Sequence, residues 1–265
     1  MRRRLAQLIS HFGTDFLSFW RDVIPRFFCP IALAENATIE LPPSVAHHAA
    51  RVLRLQTGDR ITLFNGEGGE FAATLEYDRA SRILARVGGR DSVERESPLA
   101  VTLVQGLASA ERMDYAVQKA VELGVAAIAP VETSRSVSRL AGTRAEKRCD
   151  HWRQIAIGAC EQCGRNRVPA IHVPRDIHDW LSRPSSAALR LLLAADAAQS
   201  LALLDRPAGA VELLAGPEGG LSPEENAAAR SAGFREVHLG PRTLRTETAG
   251  LAALAAMNAL WGDLR

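Results

Sequence analysis

From residue 99 onward, short apolar runs alternate with helical patterns, and this alternation limits the possible folds more than any other feature of the chain. Residues 99–104, 125–131, 190–194, 211–215 and 236–239 read as strands, and residues 111–123, 145–162, 199–204, 223–232 and 247–261 read as helices. Strands this short and apolar, separated by helices, imply a mostly parallel sheet covered on both faces. The fold class is therefore α/β. Ligands in such sheets bind beyond the carboxyl ends of the strands. Residues 249–257 are apolar almost all round, so the last helix is expected to be buried.

Two of these strands run directly into Gly/Pro loops. Leu214 and Ala215 lead into Gly216, Pro217, Glu218, Gly219 and Gly220, and Leu239 leads into Gly240, Pro241, Arg242, Thr243, Leu244, Arg245 and Thr246. Glycine lacks the Cβ that holds a ligand away from the backbone, so Gly216, Gly219 and Gly220 are expected to offer main-chain N–H and C=O groups to a small planar ligand. Ser222, Pro223 and Glu225 then read as N-cap, first helical position and return arm of a capping box, which pins the first loop.

Upstream, residues 26–93 are mostly strand-like. Residues 60–64 alternate, Asn65-Gly66 is a hairpin signal, and residues 70–75 and 82–87 continue the pattern, which suggests a small barrel. A helical insert over residues 44–53 carries His47, His48, Arg51 and Arg54 on one side. Taken singly each reads as part of a solvated helix face; together with Arg26 they form the candidate phosphate-contacting patch. The polar stretch 90–98 reads as a linker. The expected organisation is thus an extension over 1–25, a barrel over 26–95 and an α/β domain over 98–265.

A chain of 265 residues with 47% hydrophobic and 23% charged residues supports two modest cores. The net charge of +2 conceals 32 Lys and Arg, most of them Arg, which is suited to bidentate phosphate contacts, so a nucleic-acid ligand is not excluded. Four Cys do not make a disulfide scaffold, and a reducing, cytoplasmic setting is expected. Residues 1–25 begin with three Arg but are interrupted by His11, Gly13, Asp15, Arg21 and Asp22. They read as neither a secretory signal nor a membrane span. Leu5, Leu8, Ile9, Phe12, Phe16, Phe19 and Trp20 recur at near-helical spacing, and both a functional arm and an upstream start codon assigned to the gene account for the segment.

Cys160 and Cys163 form a lone CxxC without the further ligands of a zinc site, and they read as coincident spacing at a helix end. The His at positions 11, 151, 172, 178 and 238 read as structural or exposed. No GxGxxG or GxxxxGK[ST] is present, which disfavours a dehydrogenase or a small kinase.

Seven ordered blocks resemble the RsmE family of ribosomal RNA methyltransferases, members of the SPOUT superfamily. They are Arg26-Phe27-Phe28, the run from His47 to Arg54, Gly58-Asp59 with Asn65-Gly66, the run from Glu111 to Gly124, Glu161-Gln162-Cys163-Gly164-Arg165, and the two Gly/Pro loops. The resemblance implies a PUA-like RNA-binding barrel followed by a SPOUT domain. It also implies a deep trefoil knot, which ordinary connection rules would not suggest. It implies S-adenosylmethionine as cofactor, held by Leu193, Leu214, Ala215, Gly216, Pro217, Glu218, Gly219, Gly220, Leu239, Gly240, Leu244, Arg245 and Thr246, with no metal. The implied activity is methylation of N3 of a uridine in 16S rRNA within the assembled small subunit, by a homodimer to whose interface the last helix contributes, although core packing alone also accounts for that helix's apolar residues. A SPOUT enzyme acting on another RNA position, and a catalytically silent RNA-binding protein, remain as alternatives.

Uridine N3 carries a proton at neutral pH, so such a site must supply a base or stabilise the uridine anion. Glu161, Arg165, Arg242, Arg245 and Glu247 are the available groups. An Arg as anion stabiliser, Arg165 or Arg245, is favoured because no His falls within the motif blocks around the loops. Pairing of Glu161 with Arg165 or with a neighbouring subunit is the structural alternative.

Overall fold

The protein is described by a computed structural model that covers residues 24–80, 82–137 and 139–264. All but the last two residues of the N-terminal extension, including the amphipathic pattern over residues 5–20, lie outside the described residues. The chain divides between Glu94 and Arg95 into two compact units. Among the described residues, no helix is long and apolar enough to cross a membrane.

The first unit contains β1 (Arg26–Phe28), β2 (Thr38–Glu40), α1 (Pro43–His47), β3 (Arg60–Phe64), β4 (Glu70–Tyr77) and β5 (Ile83–Asp91). The sheet order is β1-β3-β4-β5-β2, with β1 parallel to β3 and the other ladders antiparallel. Alternate residues of β3 and β4 turn inward, as the two-residue pleat requires. Ile61, Leu63, Phe71, Ala73 and Leu75 join Phe27, Val45, Ala85 and Val87 in a single core, with Ile39 of β2 packed against it. A core shared by all five strands requires a curled sheet. No ladder joins β1 to β2, so the expected barrel is partly open. The expected helix over 44–53 is also split: α1 ends at His47, the chain widens into a π-type turn over His48–Val52, and Arg54 follows with a φ of 55°.

The second unit is built on a seven-stranded sheet in which every ladder is parallel. Its order is β12 (Arg235–Val237), β10 (Leu189–Leu193), β11 (Val211–Ala215), β6 (Val101–Gly106), β7 (Ala127–Glu132) and β8 (Ala170–Ile171), and β9 (Arg175–Asp176) also pairs with β7. One face carries α2 (Ala110–Glu122), α3 (Thr143–Cys163) and α6 (Thr246–Trp261), with α2 packed against both others. The opposite face carries α4 (Ile177–Leu181) and α5 (Pro223–Ser231), whose Trp180 and Ala229 share a core with Val104, Leu192 and Leu214.

The α6 helix returns from beyond β12 to lie over β6 and β11. It approaches closely because residue 250 is Gly: a Cβ there would stand 3.1 Å from Leu103 Cδ1 and 3.4 Å from Gln105 Oε1. At its far end the buried Asn258 donates through Nδ2 to the Leu123 carbonyl (2.7 Å) and accepts from Ser97 Oγ (2.7 Å), which fastens α6 to the end of α2. Leu251, Ala253, Leu254, Met257 and Trp261 are buried, whereas Ala252, Ala255 and Ala256 are half-buried and Leu260 is 42% exposed. The all-round burial expected from the sequence is therefore not completed within one chain.

The expected linker over 90–98 starts too early. Glu70 and Phe71 pair with Asp91 and Arg90, so β5 runs through polar residues that the apolar pattern could not mark. The helix expected over 199–204 is one 3-10 turn, Leu201–Leu203, capped by the Ser200 side chain. The five-residue α4 was too short to show periodicity, although its Asp176 cap, which accepts from His178 N–H at 2.7 Å, is an ordinary start signal.

Candidate active site

Because the strands are parallel, the loops after β10, β11 and β12 open at one edge of the sheet, and they enclose a cavity of about 690 Å³. This lies within the usual size range of small-molecule sites. Twelve of the thirteen sequence-predicted ligand residues line it: Leu193, Ala215, Gly216, Pro217, Glu218, Gly219, Gly220, Leu239, Gly240, Leu244, Arg245 and Thr246. Leu214, the thirteenth, turns to the other side of β11 and is buried among Val104, Leu192 and Ala229. Strand pleating puts Ala215 and Leu214 on opposite faces.

Sequence reasoning missed Ala194, Ala195 and Asp196 after β10, Arg112 from the first turn of α2, Asn226, and His238. Of these, His238 has the largest consequence, because its absence from the motif blocks favoured Arg as the chemical group. Its Nδ1 accepts a hydrogen bond from Gly240 N–H at 3.0 Å. With Nδ1 engaged as acceptor, Nε2 is the nitrogen that carries the proton in the neutral tautomer.

The glycines of the first loop line the cavity and also shape the loop itself. A Cβ on Gly216 would lie 3.2 Å from Leu221 N and 3.3 Å from Gly220 backbone atoms, and one on Gly219 would lie 3.1 Å from Arg135 Cβ. Their missing side chains let the loop close on itself and let a neighbouring segment pack over it. Within the first loop the Cβ direction is open only at Gly220, where a φ of 67° selects glycine; Gly240 in the second loop is likewise open, with a φ of 122°. A further glycine, Gly106 at the end of β6, determines where the loop sits. A Cβ on it would stand 2.5 Å from Pro217 N, closer than backbone allows.

Hydrogen bonds complete the frame. Ser222 and Glu225 form the capping box that the sequence signalled, and the same buried Glu225 carboxylate also accepts from Ser134 N–H at 2.6 Å. Gln105 Nε2 donates to Thr246 Oγ1 (2.9 Å), whose hydroxyl donates to the Gly216 carbonyl (2.5 Å), so the first residue of α6 is joined to the first loop. Glu218 accepts from Ser109 N–H and from Arg112, each at 2.9 Å, while Arg112 Nε lies 3.7 Å from Glu247. Partial burial works against ionisation of Glu218. The backbone hydrogen bonds and the Arg112 guanidinium outweigh it and hold the carboxyl below its ordinary value.

The catalytic candidates separate. Arg245 lines the cavity, is exposed, and makes no ion pair among the described residues. Arg165 does not line it. Its side chain is 5% exposed, with Nε on Glu96 at 2.9 Å and NH1 on the Val121 carbonyl at 2.9 Å, so it ties the start of the unit to α2. Glu161 is half-buried on α3, also outside the cavity lining. Cys160 is buried, its Sγ donates to the Arg167 carbonyl at 3.6 Å, and burial pushes its thiol up to about 12, so it remains an unreactive thiol.

The phosphate-contacting candidates in the first unit also divide. Arg26 pairs with Glu70 and lies over the Phe64 ring, 5.2 Å from its centroid, which commits it to the interior of the unit. His48 packs edge-on against Phe27. His47, the last residue of α1, is exposed, as are Arg51 and Arg54 on and just after the π-type turn, beside the exposed Val52 and Leu53.

The cavity's donor set fits S-adenosylmethionine. Leu193, Leu239 and Leu244 offer apolar contact to a purine, main-chain groups of both loops offer hydrogen bonds, and Asp196 offers a carboxylate to a cationic centre. Comparison with known proteins agrees. A family described as an RNA methyltransferase domain matches residues 95–258, and one described as an RNA methyltransferase PUA domain matches residues 41–87. The ribosomal RNA small subunit methyltransferase E of Buchnera aphidicola is 33% identical over 241 residues, covering 91% of this chain and 98% of that protein. Its counterpart from Mycobacterium tuberculosis is 34% identical over 218 residues, covering 80% and 83%. The crystal structure of a ribosomal RNA small subunit methyltransferase E from Neisseria gonorrhoeae, bound to S-adenosyl methionine, is 41% identical with a TM-score of 0.86, and covers 92% of this chain and all of that one. With these matches over both units, the chain belongs to the ribosomal RNA small subunit methyltransferase E family, and its second unit has the SPOUT fold.

Proposed function

We propose that this protein methylates N3 of a uridine in 16S rRNA, with S-adenosylmethionine as donor, and that it works in the cytoplasm as a homodimer on the assembled small subunit. The observation that carries the reading is the single cavity formed by the loops after β10, β11 and β12, with Arg245 exposed in its wall. When bound, S-adenosylmethionine supplies a methyl group made electrophilic by its sulfonium. The chain's own task is to hold two reactants in line and to manage the N3 proton. The loops Gly216–Gly220 and Leu239–Thr246 hold the donor. Arg245 stabilises negative charge on the uracil oxygens as N3 loses its proton to solvent, and His238 Nε2–H adds a second donor. The return of α6 to the middle of the sheet supports a knotted tail, and its half-buried alanine face supports the dimer.

Calorimetry with S-adenosylmethionine, followed by mass spectrometry of 16S rRNA from a strain lacking the gene, tests the reading. The expected result is micromolar or tighter binding and a missing methyluridine that the gene restores. A missing methyl group on another RNA atom would assign a different SPOUT activity, and absence of cofactor binding would leave an RNA-binding protein.

A further inference from the structure

Between β7 and α3, none of the described residues of 133–142 lines the cavity, yet the segment is fastened to the cavity wall. Arg135 NH1 donates to the Gly219 carbonyl at 2.9 Å and to the Leu221 carbonyl at 3.4 Å, and Ser134 N–H donates to Glu225 at 2.6 Å. Its far end folds back, where Leu140 N–H donates to Glu132, the last residue of β7. Since β7 is parallel to β6 and its neighbours, this end lies at the same sheet edge as the cavity. Arg139, next to Leu140, is thereby held at that edge. The α3 helix then begins at Thr143. Arg144 and Lys147 fall in its first two turns at i and i+3, so they share one helix face within about 8 Å of rise from the edge.

We propose that Arg139, Arg144 and Lys147 form a phosphate-binding face that seats the substrate RNA beside the cofactor cavity; the proposal rests on the reading above that RNA is the substrate. All three are exposed, and their side chains make no ion pair among the described residues. The cations farther along α3 are used differently. Arg148 lies over Trp152 and 4.0 Å from Asp114, and Arg153 pairs with Asp150 at 2.7 Å. The local acids thus neutralise the second half of the stripe and leave the half at the cavity edge positive. Glu146 is exposed but, at i+2 from Arg144, it projects from a different face. An RNA backbone suits this surface better than a second copy of the chain. A two-fold interface would bring the same cations together, and Val137 is the only large apolar side chain exposed on residues 134–148 among those described.

Titration of labelled 16S rRNA, transcribed in vitro, against the full chain between about 50 and about 200 mM salt tests the proposal, since each lost phosphate contact removes about 0.7 to 0.9 from the slope of log K against log salt. The combined variant Arg139→Gln, Arg144→Gln, Lys147→Gln is expected to lower that slope by about 2 to 3, with S-adenosylmethionine affinity and sedimentation unchanged. Arg139→Lys with Arg144→Lys is expected to keep the wild-type slope, because the charge remains. A wild-type slope in the Gln variant overturns the proposal, and a dissociated dimer with an unchanged slope would give the face to a second copy. Where the wild-type chain binds only the assembled small subunit, the same titration is run on labelled subunits; failure to bind both the transcript and the subunit at any salt overturns the substrate reading itself, before any variant is made.

Discussion

One absent methyl group, at Gly106, fixes the position of the first Gly/Pro loop of the cavity, because the space a Cβ would need is already filled by Pro217 N at 2.5 Å. Gly106→Ala is expected to push that loop outward, weaken S-adenosylmethionine binding at least tenfold in calorimetry, and lower stability by about 1–3 kcal/mol in thermal unfolding. Glu218 gives the same loop a pH limit. A carboxyl held below its ordinary value of 4.5 contributes its anchoring fully above that pH and loses it as pH falls through the lower folded value. Cofactor affinity should therefore hold from neutrality down to that range and fall below it, and Glu218→Gln should lose the anchor at every pH. The two arginines that sequence reasoning grouped together should now behave differently. Arg245→Ala is expected to slow methyl transfer by about 100-fold with cofactor affinity kept and partial recovery at high pH, whereas Arg165→Ala should chiefly lower stability. Single-turnover rates across pH distinguish the two; equal rates for Arg245→Ala and wild type would remove Arg245 from the chemistry.

Between elements, the connection that matters most runs from β6 through α6 to the loop after β11. Gln105, buried at 1% exposure, donates to Thr246, and Thr246 donates to Gly216. Thr246→Val keeps the shape but leaves the Gln105 amide and the Gly216 carbonyl without this partner, a loss of about 1–3 kcal/mol. The expected outcome is weaker cofactor binding with α6 still formed by circular dichroism, and Thr246→Ser should restore it. This connection spans 141 residues between its side-chain partners. Within residues 99–261, five of the seven strands and most of the helices were legible from apolar runs and periodicity, and the capping box from its residue types, since those signals are local; the two-residue β8 and β9 are too short to show a pattern. The attachment of Ser134 to Glu225 and the entry of Arg112 into the cavity were not legible, because each depends on which strand neighbours which.

At the scale of the molecule, α6 presents Ala252, Ala255 and Ala256 half-buried and Leu260 exposed within one chain. Covering such a face is the simplest use for it, and the proposed dimer supplies the cover. Ala256→Arg with Leu260→Arg is expected to convert the dimer to monomer in sedimentation at micromolar concentration, with the wild type remaining dimeric; a monomeric wild type would refute the dimer.

By itself the sequence determined the α/β class, the edge of the sheet at which the cavity opens and two of the three loops that line it, because strand alternation, Gly/Pro breaks and helix caps are written within a few residues of each other. Only the tertiary structure decided which candidates share the cavity. It placed Arg245 and His238 in its wall, left Arg165 in an ion pair with Glu96, turned Leu214 into the core and committed Arg26 to Glu70 and Phe64. A charged side chain carries no local signal of its partner. Its role is set by the strand order and by the groups that long-range packing brings within hydrogen-bonding reach.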